Sequence, residues 1–266
     1  KSDFDLTGRD SVVTGALGLL GREHCAALSA AGATVIAADL DGEAAAAFAR
    51  SLPGASGAPL DVTDPGSLEA LRSQLLAEHG RIDVLVNNAA VNDMFEDPAM
   101  AAEQSMFEHY PLEQWERSLA VNVTGVFLAS QVLGTPMAEA GSGSIINVAS
   151  TYGLVGPDQR IYVAPDGTQA MHKSPSYPAT KGAVVNFTRF LAAYWGHRGV
   201  RVNTLSPGGV ENGQDEWFVD NYADRTQLGR MAMPDDYHGA IVFLASDASK
   251  YMTGANLVVD GGWTAW

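Results

Sequence analysis

Ser11-Val12-Val13-Thr14-Gly15-Ala16-Leu17-Gly18-Leu19-Leu20-Gly21 begins as a short apolar run and passes directly into a glycine-rich turn. The run predicts a buried strand, and the turn opens a helix over 22–31 that stops at Gly32. Small residues at such a turn let the backbone and a helix amino terminus approach a phosphate. They also suit an ordinary tight helix entry, so the decision rests on what surrounds them.

Outward from that unit, apolar runs alternate with helical patterns. Strands are predicted at 33–38, 82–86, 144–148, 200–205 and 256–260, with the end of a third strand at 59–62, and helices at 42–51, 65–79, 112–137, 178–195 and 234–245, with Asp64 as a helix cap. Apolar strands separated by helices imply a sheet covered on both faces. The expected fold is α/β: a single doubly wound Rossmann-like domain over 1–266 with a mostly parallel sheet. Such sheets bind ligands beyond their strand carboxyl ends. The second strand ends at Asp39, beside Leu40, where a carboxylate can accept hydrogen bonds from an adenosine ribose and disfavour the extra phosphate of NADP. Asp41 suits a turn cap. Asp61 and Val62 suit an adenine pocket, although Asp61 also fits a turn cap.

Composition excludes other classes. The 266 residues carry 16 Lys and Arg against 31 Asp and Glu, a formal net charge of -15, which repels nucleic acid and anionic membranes. The single cysteine, Cys25, excludes an intrachain disulfide and a multi-cysteine zinc site, and no spacing suggests another metal site. No uninterrupted apolar stretch approaches the roughly 18 residues of a membrane span, and a cytoplasmic protein is expected.

Farther along, Ser174-Pro175-Ser176-Tyr177-Pro178-Ala179-Thr180-Lys181 sets a tyrosine and a lysine four apart at the start of a helical pattern. Positions i and i+4 share a helix face, so the ammonium can favour the ionised phenol. Ser150 stands at a strand exit, where a serine is either a cap or a substrate contact. Asn122 interrupts an apolar helix, and a buried amide there needs partners.

The glycine turn, Asn87-Asn88-Ala89-Ala90, Asn122, Ser150, Tyr177, Lys181 and Pro207-Gly208 together resemble the short-chain dehydrogenase/reductase family, from Gly8 to Trp263. The resemblance implies a nicotinamide cofactor, NAD by the sign of Asp39, and a homodimer or homotetramer. It implies catalytic roles for Asn122, Ser150, Tyr177 and Lys181. Cofactor contacts would come from Gly15, Gly18, Leu19, Leu20, Gly21, Asp39, Leu40, Asp61, Val62, Asn88, Ala89, Ala90, Tyr177, Lys181, Pro207, Gly208, Val210 and Asn212. Three positions depart from the pattern: Leu19 stands where glycine is usual, Ala90 replaces a glycine, and Asn212 replaces a threonine.

Substrate choice falls to less regular segments. The span 151–176 is longer than is common in the family and begins and ends at reactive residues, which makes it a substrate-side insertion; 209–230 is expected to cover the site. Ser150, Tyr152, Arg160, His172, Lys173, Tyr177 and Trp217 are the candidate substrate contacts, and their polarity favours a small polar substrate such as a sugar or hydroxy acid. The loop 91–111, with Asn92, Asp93, Phe95 and Glu96, borders the same region. Trp263 and Trp266 are candidate subunit contacts. A weaker likeness to sugar dehydrogenases within the family points the same way. Reduction of a 3-oxoacyl or other ketone, and non-catalytic NAD binding in a structural protein, are the alternatives.

Overall fold

The computed structural model describes residues 2–92 and 102–266; Asp93, Phe95 and Glu96 lie outside them. Seven strands form one all-parallel sheet: β1 (Asp10–Thr14), β2 (Thr34–Asp39), β3 (Ala55–Pro59), β4 (Val84–Asn87), β5 (Gly143–Val148), β6 (Val200–Pro207) and β7 (Asn256–Val259). Their spatial order is β3-β2-β1-β4-β5-β6-β7, so the chain reverses its direction of travel across the sheet between β1 and β4. That reversal leaves a crevice at the strand carboxyl ends.

Alternate strand residues enter opposite layers because side chains change face at every step. Val12, Ile36, Leu85, Ile145 and Val202 face one core with Leu68, Leu133 and Trp195, whereas Val13, Val35, Val86, Ile146 and Leu205 face another with Leu28 and Ile241. The first layer is covered by α3 (Pro65–Glu78), α5 (Val126–Ala140) and α6 (Ser176–Trp195), and the second by α1 (Leu19–Ala30) and α8 (His238–Ala245). α2 (Gly42–Ala49) packs on β2 and β3. α4 (Leu112–Leu119) and α7 (Glu216–Ala223) complete the described α-helices.

Local differences from the sequence reading have identifiable causes. The third strand, whose end was expected over 59–62, occupies Ala55–Pro59, and its Ala-Ser-Gly-Ala-Pro sequence carries no β-branched signal that would have located its start. It is built of small residues because α2 lies directly upon it: a Cβ at Gly57 would stand 2.2 Å from the Ala46 nitrogen. The helix expected over 112–137 is interrupted at Ala120–Gly125 by a π-helical turn. The whole run, Leu112–Ala140, has a mean hydropathy of 1.3 over its most apolar window, long and apolar enough by composition to cross a bilayer. Half of that window is buried within the domain, with Ala129, Leu133 and Met137 in the core, as in a central helix of a globular fold.

The two irregular segments form one unit. Residues of 151–176 pack on α7 through Ile161, Tyr162, Tyr222, Met231 and Trp263, and the Asn221 side chain donates to the Ile161 and Val163 carbonyls. Trp263 belongs to this buried cluster, stacked 4.4 Å from Tyr222, while Trp266 is exposed.

Candidate active site

The glycine turn is held by the residues that follow β4. Asn88 Nδ2 donates to the carbonyls of Thr14 and Gly15 at 3.1 and 3.0 Å, and Thr14 Oγ1 accepts from the Asn88 and Ala89 N–H groups. Gly15 has φ +62°, and a Cβ on it would meet the Ala89 backbone at 2.7 Å. Gly21 sits under the Gly15 carbonyl, which a Cβ would approach to 2.2 Å. The turn delivers α1 with Gly18 as its cap, no side chain capping it and no acidic residue in its first turn. Its amino terminus therefore offers N–H groups and a positive dipole end.

A cavity of about 610 Å³ opens before that terminus, lined by Gly15, Gly18, Leu19, Leu20, Asp39, Leu40, Asp61, Val62, Asn88, Ala89, Ala90 and Tyr177. Arg117 and Val121 also line it. They are one helical turn apart on the run that carries Asn122, which is the sequence signal that could have located them. Asp61 lines the cavity, and its Oδ1 accepts from the Thr63 N–H and hydroxyl, as a turn cap does. Asp41 caps α2 through the Ala44 N–H.

A second cavity of about 310 Å³ shares Leu19, Leu20 and Tyr177 with the first. Its walls include Asn92, Ser150, Tyr152, Lys173, Pro207, Gly208, Val210 and Gln214, with Tyr162, Phe218, Tyr222 and Met231 as an aromatic and apolar side. Two chambers that share Leu19, Leu20 and Tyr177, a glycine turn with no room for a Cβ at Gly15 or Gly21, an open helix terminus and a carboxylate at the far end fit a dinucleotide.

Tyr177 and Lys181 lie one turn apart near the start of α6. The Lys181 Nζ is 5.7 Å from the Tyr177 ring centroid and donates to the Val148 carbonyl at 2.8 Å. Burial, together with the neighbouring charge of Lys173, pulls Lys181 down to about 8. Burial pushes the Tyr177 phenol above its ordinary value, and a hydrogen bond with Ser150 opposes that shift. The sequence reading expected Lys181 to favour the phenolate; in the structure the burial of the phenol itself works the other way, and the opposing contribution comes from Ser150.

Asn122 stands in the π-helical turn. Its Oδ1 accepts from the Val91 N–H, and its Nδ2 donates to the Val91 carbonyl and to Thr180 Oγ1. The side chain thus fastens the loop after β4 to α6, one residue from Lys181. Deeper in the sheet, Asn87 Nδ2 donates to Ser130 and Asn147, and Asn147 Nδ2 donates to Thr188 of α6. These links set the depth of the helix that carries the reactive pair.

Arg160, His172, Asn212 and Trp217 lie apart from the cavity walls, as do Gly21 beneath the turn and the buried Asn122 and Lys181. Arg160, 79% exposed at its side chain, is engaged by both carboxylate oxygens of Asp158. The guanidinium holds that carboxyl down at about 2. His172 donates its backbone N–H to Ser105 Oγ, and Trp217 directs its indole N–H to Asp215. Asn212 is exposed on a turn braced by Gln214, whose amide reaches the Val210 carbonyl. Lys173 and Tyr152 do line the second cavity. Among the described residues no three His, Cys, Asp or Glu side chains converge as a metal site would require.

The model of the enoyl-(acyl carrier protein) reductase family matches residues 15–264, nearly the whole fold and every residue of the two cavities. The chain belongs to the short-chain dehydrogenase/reductase family. It is an oxidoreductase that binds a nicotinamide cofactor. This short-chain dehydrogenase is 40% identical to the D-threitol dehydrogenase of Mycolicibacterium smegmatis, covering 98% of this chain and 95% of that one. It is 38% identical to the 3-alpha-(or 20-beta)-hydroxysteroid dehydrogenase of Mycobacterium tuberculosis, over 98% of this chain and 91% of that one. Among solved structures, a gluconate 5-dehydrogenase from Burkholderia cenocepacia in complex with NADP and tartrate superposes with a TM-score of 0.85 at 31% identity, covering 99% and 98% of the two chains.

Proposed function

We propose that this short-chain dehydrogenase oxidises a secondary alcohol of a small polyol, sugar or sugar acid, with NAD as the hydride acceptor. The cofactor supplies the carbon centre that takes the hydride. Tyr177 accepts the hydroxyl proton during oxidation and returns it during reduction, Ser150 steadies the substrate oxygen, and Lys181 orients the nicotinamide ribose and supports the phenolate. Asn122 keeps the α6 face in register with the loop after β4, and through it the path by which protons leave past Lys181.

The observation that carries the NAD assignment is Asp39 on the wall of the larger cavity, where a second phosphate would meet a carboxylate. The polar class of substrate is supported by the small second cavity, with Asn92, Ser150, Tyr152, Lys173 and Gln214 on its walls. The likeness to threitol and gluconate dehydrogenases agrees with that reading. The insertion 151–176 and the segment 209–230 together bound the substrate side.

The apolar side formed by Tyr162, Phe218, Tyr222 and Met231 favours a second reading, reduction of a ketone on a more extended molecule. Turnover on a panel of polyols, aldonates, hydroxysteroids and 3-oxoacyl thioesters, each with NAD and NADP, separates the two. Activity confined to steroids or thioesters overturns the polyol reading, and binding of NAD with no turnover on any of them favours a structural role.

Association into a homodimer or homotetramer belongs to the same proposal. Phe127, Phe187, Phe190 and Tyr194 form an aromatic ladder along α5 and α6, and Phe127, Phe190 and Tyr194 are exposed, which suits contact with another copy. Sedimentation of the intact protein reads the state.

A further inference from the structure

The catalytic phenol has a nearer cation than the lysine of its own helix. Lys173 Nζ lies 4.2 Å from the Tyr177 ring centroid, against 5.7 Å for Lys181. Lys173 comes from the insertion, and the insertion grips it by its backbone: Gln159 Oε1 accepts from the Lys173 N–H at 2.8 Å, and Gln159 Nε2 donates to the Lys173 carbonyl at 3.1 Å. Gln169 in turn holds the Gln159 and Met171 carbonyls. The ammonium end is tethered by a hydrogen bond to Asn92 Oδ1. Both ends of the side chain are therefore fixed over the ring.

The two lysines differ in what it costs them to stay charged. Lys181 is buried, whereas Lys173 is half-exposed at the cavity wall and keeps part of its hydration. Among the described residues, the other titratable side chains on the cavity with Tyr177 and Lys173 are the Tyr152, Tyr162 and Tyr222 hydroxyls, all uncharged in the neutral range because burial raises them. Among the described residues, Lys173 is the one charged side chain on the second cavity, and Asp39, Asp61 and Arg117 stand on the walls of the first.

We infer that Lys173 is a positioning residue for proton transfer: the insertion supplies a second ammonium that holds the Tyr177 phenolate within reach of neutral pH. A cation above an aromatic ring is attracted by the neutral ring and far more by the anion, so its effect is on the equilibrium between them. The mutual repulsion that helps to lower Lys181 is consistent with that closeness.

The inference rests on Tyr177 being the proton acceptor, and the experiment separates the two. The pH profile of kcat/KM for alcohol oxidation is measured for the intact protein and for Lys173→Met, Lys173→Gln and Lys173→Arg. Tyrosinate absorbance is titrated in parallel, without substrate or cofactor, against Tyr177→Phe to isolate the one phenol. The acid limb and the Tyr177 titration are both expected to move up by about one pH unit in the Met and Gln variants and to return in the Arg variant. An unmoved limb with a raised KM overturns the inference and leaves Lys173 as a substrate contact. A turnover-competent Tyr177→Phe overturns the proton-acceptor reading itself.

Discussion

The Asp39 carboxylate at the end of β2 accepts a 2.9 Å hydrogen bond from the Leu17 N–H in the turn after β1. Its other oxygen accepts from the Leu40 N–H at 2.8 Å. One side chain thus joins two neighbouring strand ends, braces the glycine turn and presents negative charge to the cavity before α1.

Asp39→Ala should therefore act twice. Loss of a charge-assisted hydrogen bond to the turn and to a bound ribose, each worth about 1.5–3 kcal/mol, is expected to weaken NAD binding by roughly one to two orders of magnitude. NADP binding should improve relative to NAD, because the repelling carboxylate is gone. Titrating both dinucleotides into the wild type and the variant measures the ratio; an unchanged preference sinks the assigned role.

Tyr177→Phe removes only the hydroxyl at the junction of the two cavities. Turnover should fall by at least about a thousandfold, in line with removal of a general acid or base, while NAD affinity changes little. Single-turnover kinetics and dinucleotide titration on the same preparation separate the two effects. Near-normal turnover would falsify the proton-transfer role.

Two glycines of the same turn should respond oppositely to alanine. At Gly21 the new methyl would meet the Gly15 carbonyl at 2.2 Å, so Gly21→Ala should cost about 1–3 kcal/mol and disturb the cradle. At Gly18 the nearest atom would be 3.4 Å away and φ is -68°, so Gly18→Ala should stay within about 0.5 kcal/mol. Urea midpoints for the pair decide it, and equal losses at the two sites contradict the geometry.

His24 gives the fold a pH dependence. It is fully buried in α1, neither ring nitrogen has a hydrogen-bond partner among the described residues, and burial, with the nearby His238, lowers it from 6.5 to about 4. The unfolded chain takes up a proton near pH 6.5 and the folded one does not until about pH 4. Stability is thus unaffected above the unfolded value and falls as pH drops through that window, by up to about 3 kcal/mol at 1.36 kcal/mol per unit. Unfolding by urea at pH 7 and pH 5 should show the loss, and His24→Leu should flatten it. An equal slope in the variant would assign the effect to other groups.

Much of the site was legible because helical and strand spacing carry it. Tyr177 and Lys181 share a helix face by their separation of four, and the glycines after β1 announce a turn whatever lies beyond it. Arg160 and Trp217 show the limit of that reasoning. Both have suitable chemistry and sit in the right segments, yet each is turned to a carboxylate nearby in sequence, Asp158 or Asp215. A local partner two residues away wins over a distant pocket because it costs less chain entropy to reach.

The sequence alone determined the alternation of strands and helices, the glycine turn, the carboxylate at the end of β2 and the shared helix face of Tyr177 and Lys181, since each is a pattern within a few residues. The tertiary structure decided what converges from far apart: Arg117 and Asp39 on the walls of one cavity, Asn122 bound to Val91 and Thr180, and Lys173 above Tyr177. Those contacts depend on strand order and on how the insertion folds back over the sheet, and neither has a local period to betray it. Burial, a property of the packed chain, also sets the cost of a charge at Tyr177 and at Lys181.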